Sequence, residues 1–195
     1  MPSLPPKQLR MVVDAASVGR LPDVALPLGY EVRGYRPGDE SSWAETLQAC
    51  GFERWNDAEV LAYLEDAERL EGSRVIDNEG RVVAGTFASR NTNDASDTIV
   101  PESIGSLEEE GVLDFVVTHP YHRGRGLAKA TCTEVAKFFV RLGCQSVSLL
   151  TDDWRLPAIH VYLSLGFKPV MNRNDMSGRW DIVYDKLKEQ GHDHS

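Results

Sequence analysis

The segment His122-Arg123-Gly124-Arg125-Gly126-Leu127-Ala128 carries the strongest chemical signal in the chain. It lies between the apolar run Val112-Leu113-Asp114-Phe115-Val116-Val117, which reads as a central strand, and a stretch with helical periodicity. Glycines at such a turn let the backbone bend sharply and approach a ligand with no side chain in the way. The free N–H groups of the first helical turn then face the ligand, and the helix dipole favours an anion. A diphosphate fits, with Arg123 and Arg125 adding positive charge. A dinucleotide site would use the same physics, but Lys129 stands where G-x-G-x-x-G requires its third glycine. The loop also follows a hairpin and precedes only one further strand–helix unit, an order that disfavours a nicotinamide fold.

The elements that must hold this loop follow from periodicity. The helix after it carries Leu127, Ala130, Val135, Phe138, Phe139 and Leu142 on one face, Lys129, Lys137 and Arg141 on the other, and Gly143 as its stop. Val147, Leu149 and Leu150 mark another strand, and Pro157 opens a short helix ending at Gly166. Upstream, residues 30–35 predict a strand. Asp39 or Ser41 caps a helix with Trp43, Leu47 and Cys50, and a second helix from about Asp57 carries Val60, Leu61, Leu64, Ala67 and Leu70. Residues 74–77 and 81–87 predict a hairpin around the turn 78–80. Two late strands are expected near 167–171 and 179–187. Residues 1–29, with Pro2, Pro5, Pro6, Pro22 and Pro27, read as an arm laid against one domain spanning 30–195. The polar stretch 91–109 is either a functional loop or a tolerated surface insertion.

Composition narrows the function. A formal net charge of −9 argues against a nucleic-acid partner, which requires a basic face. No run approaches membrane-spanning length, so no membrane partner is expected. Cys50, Cys132 and Cys144 are odd in number and form no C-x-x-C pair, which fits reduced thiols in a cytoplasm and no metal site.

Arg123-x-x-Gly126-x-Ala128 resembles the acyl-CoA signature R/Q-x-x-G-x-G/A of the GCN5-related N-acetyltransferase (GNAT) family. Downstream, Ala158-Ile159-His160-Val161-Tyr162-Leu163-Ser164-Leu165-Gly166-Phe167 is similar to that family's closing A-x-x-x-Y-x-x-x-G-F segment. The resemblance implies an α/β (α+β) fold, a mixed, mostly antiparallel sheet splayed between its fourth and fifth strands and flanked by helices. It implies acetyl-CoA as co-substrate, held by Val116, Val117, Thr118, Arg123, Gly124, Arg125, Gly126, Leu127 and Ala128. It also implies Tyr162 as the acid that protonates the leaving thiolate, and backbone N–H groups near Val117 for the oxyanion. One departure is Arg155, where the family often has an Asn on the cofactor; Arg155 reaches a phosphate or the substrate instead, or is a solvated surface arginine.

The base is a separate question. Asp114 interrupts an apolar strand, Glu110 shares its face by period two, and burial could bring such a carboxyl into a useful range. The alternatives are a structural hydrogen bond at Asp114 or base work through water. The run Glu108-Glu109-Glu110 reads as a solvated loop end, and His119 and His122 as loop packing or phosphate neighbours. The four tryptophans read as core or partly buried, with Trp55 in the region that shapes the family's acceptor pocket. The leading reading is an N-acetyltransferase acting on a small amine, amino acid or peptide N-terminus by direct attack in a ternary complex. The alternatives are a non-catalytic acyl-CoA sensing module, or a thiol-cofactor acetyltransferase resembling mycothiol synthase, which has two tandem domains where this chain has room for one. The resemblance also admits a homodimer.

Overall fold

The computed structural model describes residues 7–90 and 110–191. In chain order they form β1 (Leu9–Asp14), α1 (Ala15–Gly19), β2 (Tyr30–Arg33), α2 (Glu40–Ala49), α3 (Asp57–Tyr63), α4 (Ala67–Gly72), β3 (Arg74–Asn78) and β4 (Arg81–Ser89). There follow β5 (Glu110–Thr118), α5 (Leu127–Arg141), β6 (Ser146–Thr151), α6 (Leu156–Ser164), β7 (Lys168–Pro169) and α7 (Met176–Glu189). The strands make one sheet in the order β2-β3-β4-β5-β6-β1-β7. Every neighbouring pair is antiparallel except β5 and β6, which run parallel.

Helices cover both faces because alternate residues of β4 point opposite ways. Phe87 stacks on Trp43 of α2 with ring centroids 4.1 Å apart, while Thr86 is hydrogen-bonded to Thr131 of α5 at 2.8 Å. The larger core joins Leu9, Met11 and Leu149 of the sheet to Phe139 of α5, Ile159 of α6 and Trp180 of α7. Burying each such side chain contributes roughly 1.5–3 kcal/mol, which fixes α5 and α6 on the sheet and so fixes the turns that precede them.

Four features differ from the sequence expectations. Residues 9–14 are not part of an arm: Leu9, Met11 and Val13 are buried at every second position, and β1 runs between β6 and β7 inside the sheet. Its period of two outweighs the prolines, of which Pro22 and Pro27 follow α1. The expected strand at 179–187 lies within α7, whose buried Met176, Trp180, Val183 and Leu187 fall on one helical face. The helix expected from Asp57 is two helices, because Asp66 begins α4 afresh by accepting a hydrogen bond from Arg69 N at 2.8 Å. Glu110 is not solvated. It is buried, accepts from Arg10 Nη2 at 2.5 and 2.7 Å, and accepts from the Ser148 hydroxyl. The stretch 91–109 lies outside the described residues.

Candidate active site

The sheet opens between β5 and β6. Residues 110–113 pair with 146–149, and beyond Leu113 β5 has no partner on that side, because the rest of β6 pairs with β1 alone. A bulge drives this parting. Gly85 pairs with Val117 and Phe87 with Asp114, so Phe115 and Val116 together face Thr86. Phe115 sits at φ 44°, a left-handed conformation that a bulky side chain rarely adopts. Its ring is held there by edge contacts with Phe52 at 5.2 Å and Trp55 at 4.8 Å.

On one side of the bulge is a cavity of about 410 Å³ at the glycine loop. Gly124 and Gly126 stand at φ 76° and 75°, and Gly126 immediately precedes the first turn of α5. A Cβ built on Gly124 would meet nothing within 4 Å, and one on Gly126 only Val24 Cγ1 at 3.9 Å, so the ground above the loop is open. Val116, Val117, Thr118, Arg123, Leu127 and Ala128 line this cavity, and so does Arg155. Thr118 Oγ1 is buried with no partner among the described residues.

Arg125 is placed differently from the expectation. It does not line the cavity, because its Nη1 donates back to the carbonyls of Tyr121 at 2.9 Å and Arg123 at 3.1 Å, bracing the loop. Sequence reasoning missed Lys129, Cys50 and the exposed Trp154, all of which line the cavity. Only Lys129 had a signal, its place in the first turn of the helix after the loop. His122 also lines it, bonded through Nδ1 to the Tyr30 hydroxyl at 3.0 Å. Burial, with His119 and Arg125 nearby, holds His122 below the ordinary histidine pKa.

On the other side lies a cavity of about 470 Å³ walled by Phe52, Tyr63 and Phe115, with Asp114 and Gln8 among its polar groups. The Tyr63 hydroxyl donates to Asp114 Oδ2, and Phe115 N donates to Oδ1 at 3.0 Å. Burial raises the Asp114 pKa; the Tyr63 and Phe115 hydrogen bonds and the charge of Arg69 oppose the rise. Arg69 lies over the Tyr63 ring, 3.9 Å from its centroid, and fixes the phenol that holds Asp114. Tyr63 is 51 residues from Asp114 and left no local trace in the sequence. Trp55 does not line this cavity. It packs behind the wall, against Tyr63 and Phe115.

Val116, Arg155, Ala158 and Tyr162 line both cavities, so the two are halves of one cleft that meet at the splay. Tyr162 projects from α6 and is 5% exposed. Burial pushes its phenol far above the ordinary value, and the neighbouring Cys132 adds to the shift. Such a group keeps its proton at working pH and is a donor rather than an acceptor. A carboxylate that can accept a proton thus faces one half, and a phenol that can donate one stands at the junction.

Residues 41–167 match the family model described as the acetyltransferase (GNAT) family. The chain is similar to the mycothiol acetyltransferase of Pseudarthrobacter chlorophenolicus, at 30% identity over 178 residues, covering 87% of this chain and 49% of that protein. It is similar also to the mycothiol acetyltransferase of Arthrobacter sp. (strain FB24), at 27% identity over 161 residues, covering 78% of this chain and 46% of that protein. The chain therefore spans about half the length of the curated relatives it matches. Among solved structures, yncA from Salmonella typhimurium with its cofactor acetyl-CoA shares the fold, with a TM-score of 0.56 at 20% identity, over 72% of this chain and 80% of that one.

Proposed function

The chain belongs to the acetyltransferase (GNAT) family, and from that premise we propose that it transfers an acetyl group from acetyl-CoA to a primary amine. The observation that carries this reading is the junction, where Val116, Arg155, Ala158 and Tyr162 line both halves of the cleft. An acyl donor bound in one half and an amine in the other would meet there.

The residues on the donor side fit acetyl-CoA. Gly124, Gly126, Leu127 and Ala128 offer backbone N–H groups at a helix N-terminus to a diphosphate, and Arg123 adds charge. The edge of β5 at Val116 and Val117, which has no strand partner on the β6 side, offers backbone groups, and the Thr118 hydroxyl offers a buried one, to an amide-bearing arm. Acetyl-CoA, when bound, supplies an activated thioester. Asp114 then takes one proton of the incoming ammonium and frees the amine to attack the thioester carbonyl, whose oxygen is held by backbone N–H groups near Val117. As the C–S bond breaks, Tyr162 gives its proton to the departing sulfur and regains one from the attacking nitrogen, leaving the amide and free CoA. A second reading is supported by the two curated relatives. The acceptor would then belong to the chemistry their name states, acetylation that concerns mycothiol.

An amine library offered with acetyl-CoA, with CoA release as the readout, tests the function. At least one amine should accelerate release well above hydrolysis. Tight acetyl-CoA binding with no transfer to any amine would instead mark a binding module.

Asp114→Asn tests the base. A carboxylate base works only when deprotonated, and burial raises this one, so the parent's rate should fall with decreasing pH at a higher pH than an ordinary carboxyl would dictate. The variant should lose roughly a hundredfold or more at neutral pH and lose that acid limb. A pH–rate profile that overlays the parent's would assign the base work to water.

Cys50 reports on donor binding. It lines the loop cavity and its thiol donates to Thr118 O at 3.3 Å, whereas Cys132 and Cys144 are buried and burial pushes Cys132 up to about 12. A thiol reagent should therefore modify Cys50 first, and saturating acetyl-CoA should slow that reaction at least severalfold, as read by mass spectrometry. Modification of Cys50 at the same rate with and without acetyl-CoA would move the donor elsewhere.

A further inference from the structure

We propose that the acceptor is an amine with a carboxylate close to its nitrogen, an α-amino acid in the simplest case, and that Arg155 selects it. This rests on the acetyl-transfer reading and names the substrate class for the same cleft.

Among the described residues, the acceptor cavity is lined by two charged side chains of opposite sign, Asp114 and Arg155. They are not paired with each other. Asp114 is held by Tyr63 and Phe115 N, while Arg155 donates through Nε to Asp152 at 3.1 Å. That ion pair uses Nε alone, so the terminal nitrogens of the guanidinium remain for a second carboxylate.

The geometry of Arg155 suits such a partner. Its guanidinium lies over the ring of Trp154 at 4.6 Å and over that of Phe52 at 5.3 Å, and these contacts fix its plane. Nε is taken by Asp152, and its two terminal nitrogens bond no other described residue, so both can donate to one carboxylate in the paired geometry guanidinium favours. Arg155 also lines the loop cavity, so it stands at the junction where the amine must react. An anionic group bound there lies close to the reacting nitrogen, while Asp114 receives the ammonium. A lone amine would leave Arg155 unused, and a lone carboxylate would leave Asp114 unanswered. A cavity of about 470 Å³ suits a small molecule carrying both charges.

The test compares kcat/KM for standard L-amino acids with kcat/KM for their carboxamides, which keep the amine and lose the negative charge, using acetyl-CoA and CoA release. The best amino acid should outrun its own amide by roughly tenfold to a hundredfold, the range of a charge-assisted hydrogen-bond pair. Arg155→Gln should bring that ratio to about one, and Arg155→Lys should restore part of it. Because the ratio is taken within each variant, a uniform loss of folding or donor binding does not move it. Amides used as well as acids by the parent, or a preference that survives Arg155→Gln, overturns the proposal. So does an Arg155→Gln variant whose only change is a higher KM for acetyl-CoA, since Arg155 would then serve the donor. Release with amides but no preference for acids leaves acetyl transfer standing while this inference falls. No release with any amine removes both.

Discussion

Replacing Tyr162 by Phe should lower turnover by roughly a hundredfold or more while leaving acetyl-CoA affinity almost unchanged. The substitution removes one oxygen from a ring that packs in the core with Phe167, their centroids 6.1 Å apart, so the packing survives. On the proposed role of Tyr162, what is lost is the proton for the departing thiolate. Burial holds the Tyr162 phenol protonated across the working pH range, so the parent's activity should show no basic limb belonging to this residue near neutrality. A loss confined to kcat would identify an interaction made only in the transition state. Equal turnover by Tyr162→Phe and the parent, under conditions where chemistry limits the rate, would make Tyr162 a core residue and place the acid elsewhere.

Gly126→Asp should weaken acetyl-CoA binding by roughly a hundredfold, because it would set a carboxylate against the diphosphate proposed to bind at the head of α5. Two effects combine there, since φ 75° also strains any residue that carries a Cβ. Gly126→Asn separates them. Asn has nearly the shape of Asp, tolerates the left-handed region, and carries no charge. Calorimetry should find most of the affinity kept in the Asn variant and lost in the Asp variant. The open space around Gly126 makes a steric cause remote, as only Val24 comes within 4 Å of a new Cβ. Equal affinities for Asp and Asn would mean that no diphosphate sits at this turn.

The loop and its helix were legible because their signals are local. Gly124 and Gly126 announce a left-handed turn, and the 3.6-residue spacing from Leu127 to Phe139 announces the helix that anchors it; both appear where the residues put them. The hairpin at 74–87 was legible for the same reason, with Glu79 and Gly80 both at positive φ in its turn. Composition misled where it was weighed above periodicity. The prolines of the first 29 residues hid the alternation of Leu9, Met11 and Val13, and a strand reading of 179–187 overlooked the four-, three- and four-residue steps from Met176 to Leu187.

The sequence alone determined the glycine turn, the family resemblance and the place of Tyr162 on the short helix α6, because each depends on residue types at fixed short spacings. Only the tertiary structure decided what surrounds them. The Tyr63–Asp114 hydrogen bond spans 51 residues, and Arg10 meets Glu110 across 100. Arg155 joins Trp154 to Phe52 of a distant loop, and Arg125 turns back on its own carbonyls. Those contacts exist because β1 enters the sheet beside β6 and because the bulge at Phe115 parts β5 from β6. Pairing between strands distant in the chain is set by how the whole core closes, and no local spacing records it.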